Sequence, residues 1–425
     1  HKKTYLRTFI LKQNMDRNSI IGLILIFAII MGYSWYTQPS PEQLAKNQAL
    51  RDSIANVEAG LKKDSLIAEE KVTEKIELDS TALLQEYGGF AKHVNQEKKI
   101  STIENDKLKL SISNKGAKPV SAILKEYFIP DSSRKVDLID SNEGFGLAYS
   151  FSTKDKAVNT ENFYWDVVNK ESNAITLRMY YGSATKYLEQ TYSLTEGDYK
   201  VKYSFNLVGM QSDLPPGVTN IKLDLSNKMP LQEATIKAEQ MATTVYYKLE
   251  NENPDYIREA SYDTEELEEK AQWISFKQQY FNTTFIPQNS FEKGGKLETL
   301  EGNEEANIIE DIHASVNIPY KHSPSENFSM NIYMGPNKYY TLKAEGVELE
   351  RLVPLGPVII RHINKAVIYL FHQLKKVISS YGIIILLMTI IIKTLLFPLV
   401  YKSYKSMAKM RVLKPEIDAI KEKYD

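Results

Sequence analysis

The stretch from Tyr381 to Tyr401, YGIIILLMTIIIKTLLFPLVY, constrains this chain more than any other. It is almost wholly apolar, and its ~20 residues match the length needed to cross ~30 Å of hydrocarbon at ~1.5 Å per residue. Lys393 interrupts it roughly half-way along. A lysine near a bilayer centre costs on the order of 3 kcal/mol on insertion scales, so such a residue faces a wet cavity or a partner rather than lipid. Snorkelling to the surface is the alternative, but from mid-span that reach is about 15 Å, more than one side chain covers. Thr389 lies four residues before Lys393 and shares its helical face. Pro398, on the other side, is expected to kink or loosen the end of the span.

A second apolar run, Ser19 to Tyr36, carries no charge and ends in Tyr33, Trp35 and Tyr36, as an interfacial belt does. It is long for the apolar core of a signal peptide and no Ala-x-Ala site follows, so it reads as an uncleaved span. Residues His1 to Asn14 begin without methionine, whereas Met15 is a natural start; they read as an upstream extension. Lys12 and Arg17 precede the first span, and Lys402, Lys405, Lys409, Arg411 and Lys414 follow the second. Short Lys/Arg-rich flanks stay in the cytoplasm, which places both ends of the chain inside and everything between the spans outside. In a bacterium with two membranes that outside is the periplasm.

The division expected along the chain is a cytoplasmic flank (1–18), a first span (19–36) and a charged tether (37–99). A β-sandwich (100–350), an interfacial helix (351–380), the Lys393 span (381–401) and the start of a cytoplasmic helical hairpin (402–425) follow. Leu44, Leu50, Ile54, Val57 and Leu61 suit a weak amphipathic helix within the tether, with a coiled-coil partner as the lesser alternative. From Ile100 the period becomes two: Leu108, Leu110 and Ile112; Ile175, Leu177 and Met179; Tyr199 to Leu207; Ile221, Leu223 and Leu225. Short strands with frequent turns predict an antiparallel sandwich of two extended sheets, a fold that suits the 27 tyrosines. Helix is expected only from Thr264 to Ile274, with Glu265, Glu266, Glu268 and Glu269 on its solvated face, and briefly after Pro336. From Leu352 to Ser380, apolar residues at i, i+3, i+4 spacing oppose Arg361, Lys365, His372, Lys375 and Lys376; such a basic amphipathic helix, running straight into a span, is expected in the membrane interface, with a helix packed on the sandwich as the alternative. After the span, Met410, Leu413, Ile417, Ile420 and Tyr424 keep the spacing of a coiled-coil seam.

The chemistry that composition excludes is broad. A net charge of −1 with no basic domain argues against nucleic-acid recognition. The absence of cysteine excludes disulfides, thiol catalysis and Cys-ligated zinc. His-Glu-x-x-His, Gly-x-Ser-x-Gly and phosphate-loop patterns are missing, and Gly144-Phe145-Gly146 is a lone Gly-x-Gly. His313 and His322 are too far apart for a helical metal pair. No catalytic residue, metal or cofactor is expected.

Tyr381 to Ile417, above all Tyr404-Lys405-Ser406-Met407-Ala408-Lys409-Met410 with Pro415, resembles the YidC/Oxa1/Alb3 family of membrane protein insertases. Trp273 to Phe281 (WISFKQQYF), Tyr333-Met334-Gly335-Pro336, the first span and the amphipathic helix resemble its Gram-negative form with a large periplasmic domain. The resemblance implies a membrane protein with α-helical spans and a large all-β periplasmic sandwich similar to galactose mutarotase, with few helices. It implies a hydrophilic groove whose positive charge, usually arginine, is Lys393 here, and whose threonine is Thr389. Lysine keeps the charge but loses the planar fork of donors. Implied partners are nascent membrane-protein substrates, the lipid bilayer and the Sec translocon, with the ribosome a further candidate, in the bacterial inner membrane. Further spans are implied beyond Asp425. The competing reading is a membrane-anchored periplasmic glycan-binding or sugar-processing sandwich, which requires a cleft with convergent acid and base, such as His313 or His322 beside a carboxylate.

Overall fold

Alternating side chains become strand pairing from Ile100 onward. The computed structural model describes residues 80–130, 132–139 and 144–424. The first span, the N-terminal flank and the tether up to residue 79 lie outside the described residues. All strand pairs are antiparallel. A nine-stranded sheet runs in the order Asp255–Tyr256, Thr244–Leu249, Ala271–Lys277, Phe281–Pro287, Ser325–Pro336, Lys200–Val208, Ser183–Leu194, Ala174–Tyr181, Asp166–Lys170. A six-stranded sheet runs in the order Thr264–Leu267, Glu292–Glu301, Ile308–Pro319, Asn220–Pro230, Phe145–Ser152, Ala157–Asn159. Their inner faces meet: the Tyr149 ring of one stacks on Phe205 of the other at 3.7 Å, and Phe145 lies 6.3 Å from Phe285. The abundance of tyrosine has its explanation here. The hydroxyls of Tyr149 and Tyr203 bond each other at 2.8 Å, and those of Tyr203 and Tyr192 lie 3.1 and 3.0 Å from the Gln190 carbonyl oxygen, so buried rings keep their polar ends paired.

Three expectations are corrected. A third sheet of four strands, Ile100–Glu104, Leu108–Ser113, Pro119–Phe128 and Lys135–Asp137, joins the two large ones. The helix expected over Thr264 to Ile274 is two strands, Thr264–Leu267 and Ala271–Lys277. Glu, Leu, Lys and Ala favour helix locally, but Leu267 and Trp273 are buried as strand residues, and tertiary packing overrides propensity. Glu265 and Glu266 stand exposed on an edge strand, where charge blocks further pairing. The end of the presumed tether is ordered and partly buried, although residues 95 and 97–99 stay exposed. Helix α1 (Ser80–Tyr87) and a 3₁₀ turn (Gly88–His93) pack on the domain, with Phe90 fully buried. His93 Nε2 accepts the Tyr180 amide at 3.0 Å, so Nδ1 carries the proton and donates to the Tyr164 carbonyl at 2.8 Å. Burial lowers its pKa and keeps the ring neutral.

Among the described residues few helices remain: α2 (Ile236–Gln240), α3 (Tyr339–Lys343), α4 (Val358–Val377) and α5 (Tyr381–Tyr424). The segment from α3 to Leu352 lies on the outer face of the nine-stranded sheet. Leu342, Leu349 and Leu352 are buried there, Trp273 Nε1 donates to the Val347 carbonyl at 2.8 Å, and Lys200–Glu345 and Lys248–Glu348 pair at 3.1 and 3.0 Å. Asn337 holds the turn of the WISFKQQYF hairpin, donating to the carbonyls of Gln278, Gln279 and Phe281. At Gly335 a Cβ would lie 2.8 Å from the Tyr199 ring, so only glycine lets the strand pass. These are the residues that give the hairpin and the Tyr333–Pro336 motif their sequence.

Candidate functional site

Helix α5 is one uninterrupted element of 44 residues. At 1.5 Å per residue it is about 66 Å long, roughly twice the hydrocarbon thickness. The part apolar enough to span runs from Tyr381 to Pro415. Its apolar side chains are bare: Leu395, Phe397 and Leu399 are largely exposed, and among the described side chains of its length only Ile384, beside the corner with α4, is buried. At that corner Phe371 stacks on Tyr381 and the Lys375 ammonium sits 5.4 Å over the same ring.

Lys393 is exposed on this helix and makes no ion pair or side-chain hydrogen bond among the described residues. Thr389 shares its face, but its hydroxyl donates to the Ile385 carbonyl at 2.8 Å. Thr389 is thus self-satisfied rather than a free donor. The helix continues through Pro398. Having no amide hydrogen, Pro398 leaves the Thr394 carbonyl without its i+4 donor, which adds a polar backbone atom next to Lys393.

Helix α4 precedes the corner and is two-sided. Val358, Ile359, Ile363, Tyr369 and Val377 are exposed, and among the described residues nothing covers that face. The opposite side turns toward the sandwich, where the His372 ring lies 4.4 Å from Tyr340 and Asn364 donates to the Leu355 carbonyl.

The sandwich has a concavity of its own on the outer face of the six-stranded sheet, about 250 Å³ in volume. His313 lies in its wall, and its Nε2 is 3.0 Å from Asp311, two residues earlier on the same strand face. The Asp311 carboxylate raises the His313 pKa, against a smaller opposing effect of burial. Its sequence signal is His two residues after Asp within a strand, which places both side chains on one face. The other acids are already partnered: Asp224 by Ser315 and Ser150, Glu298 by Lys296. No aromatic ring lines the concavity. His322 is elsewhere, bonded to the Val218 carbonyl, and is not brought together with His313.

Comparison with known proteins bears on this arrangement. The model of the YidC periplasmic domain matches residues 101–370, and that of the 60Kd inner membrane protein matches residues 373–425. The two matches meet inside α4. A curated membrane protein insertase YidC from Parabacteroides distasonis is 33% identical over 96% of this chain and 67% of its own length. The chain belongs to the YidC family of membrane protein insertases. It spans about two thirds of the length of the curated relatives it matches. Among solved structures, a galactose mutarotase-like protein from Lactobacillus casei aligns over 56% of this chain and 100% of its own, with 12% identity and a TM-score of 0.39. An active YidC insertase structure aligns over 78% of this chain and 63% of its own, with 14% identity and a TM-score of 0.32. The all-β domain with few helices, expected from period-two alternation, is what the structure contains.

Proposed function

We propose that this chain carries the periplasmic platform and the charged helix of an inner-membrane insertase, and that Lys393 receives polar or acidic parts of an inserting polypeptide. The observation that carries the reading is an ammonium within the bare apolar part of helix α5 that has no partner among the described residues. Insertion is slow because polar segments must cross hydrocarbon at several kcal/mol per unsatisfied or charged group. A fixed positive charge in a wet groove shortens that path, and apolar parts of the client leave sideways into lipid. The Thr394 carbonyl freed by Pro398 extends the polar strip, and Thr389 adds to it only as an acceptor. No bond is made or broken, so no nucleotide, metal or catalytic side chain is required. In this reading the sandwich lies in the periplasm, both ends of the chain are cytoplasmic, α4 lies in the outer interface, and the Sec translocon and the ribosome are candidate partners.

The test is insertion in cells by the full-length protein, with clients bearing acidic or neutral translocated tails. Lys393→Arg should preserve insertion within about twofold, since the charge remains. Lys393→Met should impair the acidic clients more, and Lys393→Glu should be worse, because like charges repel strongly at low dielectric. Protease resistance and expression are compared alongside, because removing a charge from an apolar setting often stabilises a protein. Normal insertion of both client classes by well-expressed Lys393→Met sinks the reading.

The glycan-binding reading has one observation in its favour, His313 in the wall of a concavity with Asp311 paired to it. The missing aromatic platform and the prior pairing of Asp224 and Glu298 weigh against it. Sugar epimerisation lost on His313→Ala would restore it.

A further inference from the structure

Between the edge of the nine-stranded sheet and the first turns of α4 lies a cavity of about 440 Å³, within the usual ~300–1,000 Å³ range of ligand pockets. Its two walls differ in charge. On the helix side, Arg361 and Lys365 are four residues apart and share one face. Neither makes an ion pair or side-chain hydrogen bond among the described residues. On the sheet side, Tyr246 and Tyr256 stack at 4.7 Å, and the Tyr246 hydroxyl donates to Glu259 at 3.3 Å. Glu350 adds a second carboxylate to the lining. Glu348 and Arg351, also in the wall, are committed elsewhere: Glu348 pairs with Lys248 and Arg351, and Arg351 donates to Asn253.

A bare anion would satisfy Arg361 and Lys365 but face Glu259 and Glu350. A bare cation has the opposite difficulty. A ligand carrying phosphate at one end and ammonium at the other meets both walls. A guanidinium fork and an ammonium suit phosphate oxygens. Carboxylates and tyrosine faces suit an alkylammonium through charge and cation–π attraction. The position agrees with this chemistry. An interfacial helix buries its apolar face about 5–10 Å into the headgroup boundary. Its polar side, where His372 meets Tyr340, then sits at headgroup level with the sandwich above it.

We propose that this cleft holds the headgroup of a zwitterionic phospholipid, with the phosphate on Arg361 and Lys365 and the ammonium against Glu259, Glu350 and the Tyr246–Tyr256 pair. The inference rests on the interfacial placement of α4. It adds a lipid-specific anchor that fixes the sandwich on the membrane beside the span.

The test is native mass spectrometry of the full-length protein in detergent, offered equal phosphatidylethanolamine, phosphatidylcholine and phosphatidylglycerol. The two zwitterionic lipids should be retained over the anionic one by about fivefold or more, a difference of ~1 kcal/mol. Soluble phosphoethanolamine should compete, and inorganic phosphate should not. The double variant R361Q/K365Q should lose the preference and Arg361→Lys should keep part of it. Both positions are exposed on α4, so folding is not at stake. Equal retention of phosphatidylglycerol, displacement by phosphate alone, or an unchanged double variant overturns the proposal. A spin label at Ile363 in vesicles reports the helix placement separately. A lipid-exposed label without headgroup preference rejects this site and leaves the insertase reading intact, whereas an aqueous label rejects the placement itself.

Discussion

The sandwich and helix α5 treat polar groups in opposite ways. Inside the sandwich, many polar side chains taken out of water arrive with partners, while a few buried atoms such as Trp165 Nε1 and Tyr320 Oη do not. Lys277 donates to the Ala242 carbonyl, and Glu239 accepts from the amides of Gln232 and Glu233 and from Gln278. The buried tyrosines bond one another and Gln190. On α5 the apolar side chains are bare and Lys393 has no partner among the described residues. A finished domain closes its hydrogen bonds internally because leaving one open costs about 1–3 kcal/mol. A helix with open apolar flanks and an open charge takes its stability from what surrounds it, namely lipid and further protein.

The largest effect expected from this contrast is in the core. Trp273 is fully buried and its indole holds the Val347 carbonyl, so Trp273→Ala should destabilise the domain by about 3–5 kcal/mol. Leu395→Ala, on the bare helix, should shift the unfolding of the sandwich by less than ~0.5 kcal/mol. Denaturant unfolding of the full chain, followed by β-sheet circular dichroism, separates them. A large effect of Leu395→Ala on that transition would break the contrast.

A smaller effect comes from one of the sandwich's own exceptions, a buried acid with an unpaired oxygen. Glu310 is 2% exposed, its Oε1 has no partner, and burial, with the charge of Glu259, raises its pKa to about 8. A carboxyl whose folded pKa lies above its unfolded value of 4.5 contributes stability below that value and loses it as pH rises through about 8. Glu310→Gln should therefore be more stable than the parent at pH 8.5, on the order of 2 kcal/mol, with the gap closing toward pH 4.5. Melting curves across that range check it; a pH-independent difference contradicts the assignment.

The smallest effect concerns Thr389. Because its hydroxyl is spent on the Ile385 carbonyl, Thr389→Val should leave insertion within about twofold. A larger loss means that the hydroxyl leaves the helix backbone to meet a client, which makes Thr389 an active part of the strip.

Sequence alone determined the elements whose pattern is intrinsic. The strands Leu108–Ser113, Ala174–Tyr181, Lys200–Val208 and Asn220–Pro230 alternate because one face of each is buried, and the apolar run around Lys393 is legible because length and hydropathy are properties of the segment itself. Thr264 to Ile274 misled because an edge strand with one buried leucine carries helix-forming residues, and only pairing with Glu292–Glu301 and Thr244–Leu249 decides its conformation. Phe90 and His93 looked like tether because their partners, Tyr181 and Tyr164 with Tyr180, lie far along the chain. The concavity that sets His313 beside Asp224 and Gly146, and the cleft joining Tyr246, Tyr256 and Glu259 to Arg361 and Lys365, were likewise decided by tertiary structure. A periodic pattern reports what a residue does to its own segment; a site made of residues a hundred positions apart exists only once loop closure has placed them together.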